Sequence, residues 1–443
     1  MDGRGGRHRS DGAWGAGGIV FGVVLGMVLL ALVQALLPTR EDPDIAHYRE
    51  VRRFVLDHFV EDVDPDLLVQ DALQGMLGNL DEYSRYYDQA GAQRVDRETR
   101  GRFTGIGVVF RAPMSAGQIL FPVPGGPADE AGLQVGDLLV TIDGEAAIEG
   151  GEDSLRQRLR GEPRSKVVLG VRGLDGAERE HHVVRQSLID PTVRHVRMAD
   201  AERAIGYLAV SSFSRETGRE FDEACKGLQD EGMQGLVIDL RDNPGGVLES
   251  AVKLARRFVP EGVIVSTEGR GAPDVLRANP DEALFQDMPL VVLVDGGSAS
   301  ASEVLAGALQ DHRVAVILGE PTHGKGVVQT IRRYDERGTI AKVTTSYFYT
   351  PAHRNLERNP EEGREWGIVP DLRVSLTADQ RARVLGHIQR YGPPRELTAQ
   401  LRAWEEAESV DLLDEHPEDP QLEAALALLR GEGDGLFSED TAR

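Results

Sequence analysis

The sequence predicts a multidomain chain of the α/β and α+β classes. In order it should hold a transmembrane helix, a helical segment, a small β-rich domain, a larger α/β core and a helical tail. Three observations predict this. Ala13 to Thr39 carries no charged residue. From Gly101 the apolar spacing changes from helical to short, glycine-punctuated strands. After Gln186 apolar strands alternate with helical stretches, the pattern of a sheet covered by helices.

At 443 residues with 40% hydrophobic content, the chain can build more than one core. Its net charge of −23 argues against a nucleic-acid partner, which needs a basic footprint. The single cysteine, Cys225, excludes an intrachain disulfide and a cysteine-based metal site. No His/Asp/Glu cluster has metal-ligand spacing, and no cofactor is expected. The stretch Ile19 to Leu37 is long enough to cross a bilayer, which takes about 20 apolar residues. Arg4, Arg7 and Arg9 precede it, and Glu41, Asp42 and Asp44 follow it. The positive-inside rule therefore puts the N-terminus in the cytoplasm and the body outside, in a periplasmic or otherwise extracytoplasmic space. A signal peptide cleaved after Val33-Gln34-Ala35 is the rival; the apolar stretch is long for one.

Val51, Phe54, Val55, His58 and Phe59 fall at helical spacing, and a second helix runs from Asp64-Pro65 to Leu80. Asp81-Glu82-Tyr83-Ser84 reads as a helix end with no chemistry of its own. Phe103 to Phe110 reads as one glycine-punctuated strand. Ala131-Gly132-Leu133, Val135-Gly136-Asp137 and Ile142-Asp143-Gly144 mark turns between short strands, with a helix over Ser154 to Leu159 and a strand over Lys166 to Val171. The core opens with a strand at Ile205 to Val210, a helix at Thr217 to Asp230, a strand at Gly235 to Leu240 and a helix at Leu248 to Phe258. In such sheets ligands gather beyond the carboxyl ends of the strands. Val327 to Ile331 and Thr339 to Tyr349 are β-rich, with a turn at Asp335 to Gly338. In the acidic tail, Pro420 to Leu429 is amphipathic and can dock on the core or mediate self-association. The last dozen residues are expected to be disordered.

The candidate chemistry centres on Ser298-Ala299-Ser300-Ala301-Ser302-Glu303. The buried strand Leu290 to Val294 precedes it, and an amphipathic helix follows. The serines therefore sit at a helix start, whose unpaired N–H groups and positive dipole suit a developing oxyanion. A second strand, Val314 to Leu318, leads to Gly324-Lys325-Gly326, which suggests a Ser/Lys nucleophilic pair. By sequence alone Ser298, Ser300 and Ser302 are all candidates, one of them as a helix cap. Gly319 to Lys325 also has the spacing of a Walker A loop. Gly326 stands where the Mg²⁺-binding hydroxyl belongs, however, and a strand rather than a helix follows.

The Ala131 to Gly144 pattern resembles a PDZ domain, in which Gly105, Ile106, Gly107 and Val108 would form the loop that captures a peptide's terminal carboxylate. Three further blocks, Asp239 to Gly246, Ser298 to Glu303 and Gly319 to Gln329, resemble the C-terminal processing serine peptidases. Gly75 to Leu77, Leu80 to Ser84, Tyr347 to Pro351 and Gly367 to Asp371 extend the resemblance. Together with the anchor and the acidic tail, it divides the chain into six segments: residues 1–12 cytoplasmic, 13–39 anchor, 40–98 helical, 99–187 PDZ-like, 188–375 peptidase core and 376–443 tail. It also implies that Ser300 is the nucleophile and Lys325 the general base. Gln329 would orient the lysine, and the N–H groups of Gly246 and Ala301 would form the oxyanion hole. Asp311 matches a recurrent acidic position. His323 and Asp242 depart from the usual aromatic and Asn, and the linker before Trp366 holds Arg358, Glu361, Glu362 and Arg364. The expected substrates are protein or peptide C-terminal tails. The PDZ domain would block or misalign the site until a tail binds, and there is room for an adaptor or a homo-oligomer. A catalytically silent PDZ scaffold in the cell envelope is the alternative.

Overall fold

The computed structural model describes residues 42–111, 117–359, 365–390, 397–410 and 417–432, together with Met27, Gly363 and Gly392. The expected membrane helix at 13–39 lies outside these residues but for Met27, as do the last residues of the tail. Among the described residues no helix is long and apolar enough to cross a membrane.

The described residues up to Met76 form a unit of their own. It holds α1 (Pro43–His58), capped by the Asp42 side chain, and most of α2 (Pro65–Gly78). Ile45, Val51, Phe54, Phe59 and Leu67 are exposed on it.

In the second unit, β1 (Arg85–Tyr87) and α3 (Gln89–Arg100) lead into the β-rich domain. The strand expected over 103–110 is two strands, β2 (Arg102–Gly105) and β3 (Val108–Phe110). Gly107 adopts φ 74°, a conformation that breaks the extended run and that glycine tolerates. β2 pairs with β9 (Gln186–Ile189), while β3 pairs with β4 (Ile119–Pro122). The short α4 (Pro127–Glu130) follows, then β5 (Leu138–Ile142), β6 (Glu145–Ala146), α5 (Gly151–Leu159), β7 (Lys166–Arg172) and β8 (Glu178–Val184). Ile106, Ile119, Leu139, Leu155 and Leu169 fill its core.

The larger domain is built on a six-stranded sheet. Its elements in order are β10 (Val193–Asp200), β11 (Ile205–Val210), α6 (Thr217–Asp230), β12 (Gly235–Asp239) and α7 (Leu248–Arg256). Then come β13 (Val263–Gly269), β14 (Asp274–Arg277), β15 (Leu290–Val294), α8 (Ala301–Asp311), β16 (Val316–Gly319), β17 (Val327–Tyr334), β18 (Thr339–Tyr349) and β19 (Leu372–Arg373). The main sheet runs β10-β11-β12-β15-β16-β19, antiparallel at the first pair and parallel thereafter. A second sheet joins β1, β18, β13 and β14, with β17 on β18.

Both faces of the central parallel strands are buried, which is why β11, β12 and β15 read as largely apolar runs. Leu208, Ile238, Val292 and Ile317 point to one face, against α6, α7 and α8. Their neighbours Tyr207, Val237, Val291 and Leu318 point to the other. Tail helices cover that second face: Val384 and Ile388 of α9 (Ala378–Ile388), and Ala424, Ala425 and Leu426 of α11 (Pro420–Leu429). Between them α10 (Thr398–Glu408) lays Leu401 and Trp404 on Phe121 and Val135 of the β-rich domain. The tail therefore docks on both domains.

One polar contact ties the tail to the end of β12. Arg241 is 1% exposed, and its guanidinium donates to Asp239, to both carboxylate oxygens of Asp419 at 3.0 and 2.7 Å, and to Gln421 Oε1 at 2.9 Å. Tyr207 donates its hydroxyl to Asp239 at 2.8 Å. Removing the cation leaves two buried carboxylates facing each other; removing Asp419 leaves a neutral pair with some donors unmet. Arg241→Met should cost about 3–5 kcal/mol of stability and Asp419→Asn about 1–3 kcal/mol. Urea midpoints of the two variants check this order.

Candidate active site

The parallel neighbours β12, β15 and β16 end side by side, and the three loops beyond their carboxyl ends form the site. The first loop is knitted by Asn243. Its amide donates to Val210 O at 2.7 Å, its side-chain oxygen accepts from Gly245 N at 2.9 Å, and its backbone carbonyl accepts from Ala299 N at 2.9 Å. This draws the Gly245-Gly246 backbone against the serine turn. A Cβ on Gly245 would lie 2.8 Å from Ser300 Cβ and 2.9 Å from Ala301 N; one on Gly246 would lie 2.0 Å from Phe213 O. Gly246 has φ 142°, so both space and conformation demand glycine there. The glycine loop and the serine turn thus converge.

The three serines differ in what their hydroxyls do. Ser298 is fully buried and donates to Leu240 O at 2.7 Å. Ser302 is fully buried and donates to Asn243 O at 2.9 Å. Both fasten the turn. Ser300 is half-buried, and its hydroxyl donates to no protein acceptor among the described residues. It stands at the N-terminus of α8 with φ 57° and ψ −114°, a strained conformation for a residue with a side chain.

Glu303, fully buried on the first turn of α8, joins the serine turn to the lysine loop. Its Oε2 accepts from Ser300 N at 2.7 Å and from Lys325 N at 2.9 Å. Its Oε1 accepts from Gly324 N at 2.7 Å and from Thr322 Oγ1 at 2.6 Å. Burial pushes the Glu303 carboxyl up, against the pull of these four donors. Burial likewise holds the Lys325 amine below its ordinary value, against the carboxylates of Glu357, Glu303 and Glu82, which pull the other way. The Lys325 Nζ rests 4.8 Å from the centre of the Tyr83 ring. Gln329 lies at a bulge in β17, and its Nε2 donates to Tyr83 O at 3.0 Å. No hydrogen bond links Gln329 or Ser300 Oγ to Lys325 Nζ among the described residues. The Asp81 to Ser84 segment, read from sequence as a helix end without chemistry, is thus a wall of the lysine pocket.

The other sequence candidates fall as follows. His323 is exposed and meets the serine turn only through its backbone N–H, donated to Ser298 O at 3.0 Å. Asp311 accepts from Ala352 N at 2.8 Å and from Arg354, fixing the loop after β18. Asp242, at φ 55°, accepts from Gln389 at 2.9 Å. A strand follows Lys325, as expected against a Walker A loop. Arg358 N donates to Gly324 O at 2.8 Å; Glu361, Glu362 and Arg364 lie outside the described residues. In the β-rich domain Gly105 ends β2, the Ile106 side chain is buried in the core, Gly107 takes the left-handed turn and Val108 opens β3. The edge of β3 away from β4 pairs with no other strand among the described residues.

A family profile for Peptidase family S41 matches residues 204–374, and one for the PDZ domain matches residues 120–173. The carboxy-terminal-processing protease of Bartonella bacilliformis is 32% identical over 428 residues, covering 93% of this chain and 95% of that one. The chain belongs to peptidase family S41. It is a serine-type peptidase with a PDZ domain. The carboxyl-terminal-processing protease of Synechocystis sp. is 34% identical, covering 70% of this chain and 74% of that one. A solved photosystem II D1 C-terminal processing protease covers 74% of this chain and 86% of its own at 30% identity, with a TM-score of 0.42.

In this S41 site Glu303 is the residue that sequence reasoning passed over, although Ser300-x-x-Glu303 has the spacing of a capping box. Glu303→Ala leaves three backbone N–H groups and one hydroxyl without their acceptor. Each loss is worth about 1–3 kcal/mol, and release of the two loops should lower kcat/KM about 100-fold. Glu303→Gln, which keeps one carbonyl oxygen, should fall between. Urea unfolding and peptide cleavage check the two effects.

Proposed function

We propose that the protein is a membrane-anchored, extracytoplasmic endopeptidase that recognises C-terminal tails and cuts with Ser300 and Lys325. The observation that carries the Ser/Lys assignment is the shared carboxylate oxygen of Glu303, within 3 Å of the backbone nitrogens of both residues. Of the three serine hydroxyls, that of Ser300 is also the one that donates to no protein acceptor among the described residues.

Neutral Lys325 takes the proton of Ser300 as Oγ attacks the scissile carbonyl. The oxyanion develops at the start of α8, where the N–H groups of Gly246 and Ala301 receive it; one such donor is typically worth about 100- to 1000-fold in rate. The ammonium then gives its proton to the leaving amine, and water hydrolyses the acyl-enzyme with Lys325 again as base. Gln329 uses its Nε2 on Tyr83, which leaves Oε1 to accept from the lysine and orient it. The substrate's terminal residues add a strand to the open edge of β3, with the carboxylate at Gly105 to Val108. The relatives' names, carboxy-terminal-processing proteases, support this choice of substrate. The uncharged stretch at 13–39 and its flanking charges support the anchor and the placement of the body. An adaptor or self-association fits this reading, as does a resting state relieved by tail binding.

The test is cleavage of an unfolded protein with an apolar C-terminus by the full chain in detergent. Ser300→Ala and Lys325→Ala, both folded, should lose on the order of 10⁴-fold or more in kcat. For the wild type kcat/KM should rise with pH as Lys325 loses its proton, at a pH below that of a free lysine. Amidating the substrate's terminus should slow cutting. Tail binding without turnover would instead mark a silent scaffold, and cutting by Ser300→Ala would move the nucleophile to another residue.

A further inference from the structure

The lysine pocket has a wall that the assigned chemistry does not use. Asp81 Oδ1 accepts from Tyr83 N at 2.8 Å and from Ser84 N at 2.6 Å, and Ser84 Oγ donates to Asp81 Oδ2 at 3.0 Å. Ser84 Oγ also accepts from Thr344 N at 3.1 Å. Thr344 pairs with Gln329 across β17 and β18. The turn is therefore pinned to the strand pair that carries Gln329. It presents two parts of one residue to the site: the Tyr83 ring to Lys325 Nζ at 4.8 Å, and the Tyr83 carbonyl to Gln329 Nε2 at 3.0 Å.

We propose that Tyr83 is a positioning residue for the catalytic lysine, its ring face shielding the Lys325 amine from water while its carbonyl fixes Gln329 beside it. The inference rests on the Ser/Lys reading above. Burial also raises the Tyr83 phenol well above its ordinary value, so the ring stays neutral through the working range. The charged groups that face Lys325 are Glu82 on the same turn, Glu303 on α8, Glu357 in the loop after β18, and Lys342 on β18.

The ring acts on the lysine in two opposite senses. Excluding water disfavours the ammonium, whereas the π face attracts it. Burial outweighs the surrounding carboxylates at Lys325, and the ring, 4.8 Å from its Nζ, is part of that burial. Substitutions can separate the two. Tyr83→Ala readmits water, so the acid limb of the kcat/KM profile should move to higher pH. Activity at neutral pH should then fall about tenfold and recover at alkaline pH. Tyr83→Leu still excludes water but has no π face, so its limb should move to lower pH. Tyr83→Phe keeps the ring and should follow the wild type.

The experiment is the pH profile of cleavage by the full chain in detergent for these three variants, with Lys325→Ala beside them. Opposite displacements for Ala and Leu support the role. A Tyr83→Ala loss that is equal at every pH, or a limb that coincides with the wild type, overturns it. If Tyr83→Ala fails to fold, Leu against Phe decides: coincident limbs overturn the role. Cleavage by Lys325→Ala would be a different failure, that of the Ser/Lys reading itself.

Discussion

A single buried carboxylate holds the site together. Serine and lysine come from loops after different strands, and nothing in the sheet alone fixes their separation. Glu303 does so by taking four hydrogen bonds, from the N–H groups of Ser300, Gly324 and Lys325 and the hydroxyl of Thr322. Each donor would otherwise sit in a dry interior without a partner, at a cost that favours the one arrangement satisfying all four. The same arrangement forces Ser300 into its positive φ, so the strain at the turn is held in place by the network around it.

That network needs a rigid base, and the main sheet supplies one because both its faces are covered. Helices α6 to α8 cover one face and the tail covers the other. The Arg241 contact makes the tail more than a lid on apolar surface. Arg241 lies five residues before Gly246, on the loop whose glycines meet the serine turn, and its guanidinium is held by Asp419 at the start of α11. Movement of α11 would reach that loop through one buried side chain. With α10 seated on Phe121 and Val135, the tail also runs between the peptidase core and the PDZ domain.

What the sequence made legible follows the range of the interactions involved. The strands of the parallel sheet were readable because burial on both faces makes them continuously apolar, as in Leu290 to Val294. The helix at Thr217 to Asp230 was readable from its apolar stripe. The antiparallel edge strand Val193–Asp200 is half-exposed and mixes polar with apolar residues without a run of either, and it left no such signal. Phe103 to Phe110 was read as one strand because alternation of glycine with apolar residues resembles a pleat; the turn at Gly107 comes from backbone geometry that spacing does not record. Ser300, Lys325 and the Gly245-Gly246 loop were readable as motifs. Tyr83 was not, because its partner Gln329 is 246 positions away and nothing in Asp81 to Ser84 itself announces a pocket wall. Glu303 looked like a local cap, and its bonds to Gly324 and Lys325 appear only when the loops meet.

The electrostatics of the pocket follow from its burial. Burial displaces the buried groups there toward neutrality: Lys325 downward, Glu303 and Glu357 upward. The three carboxylates around the lysine favour the ammonium, yet the net displacement is toward the amine, so desolvation is the larger influence. The carboxylate that lies nearest the lysine backbone, Glu303, already has four donors on its oxygens, which weakens its claim on the ammonium. A polypeptide laid across the opening removes still more water, and the sign of that change is fixed by the same physics: it moves Lys325 further toward the amine. On the Ser/Lys reading, the neutral amine is therefore favoured by the same event that brings a peptide bond to Ser300, without any movement of the lysine being required.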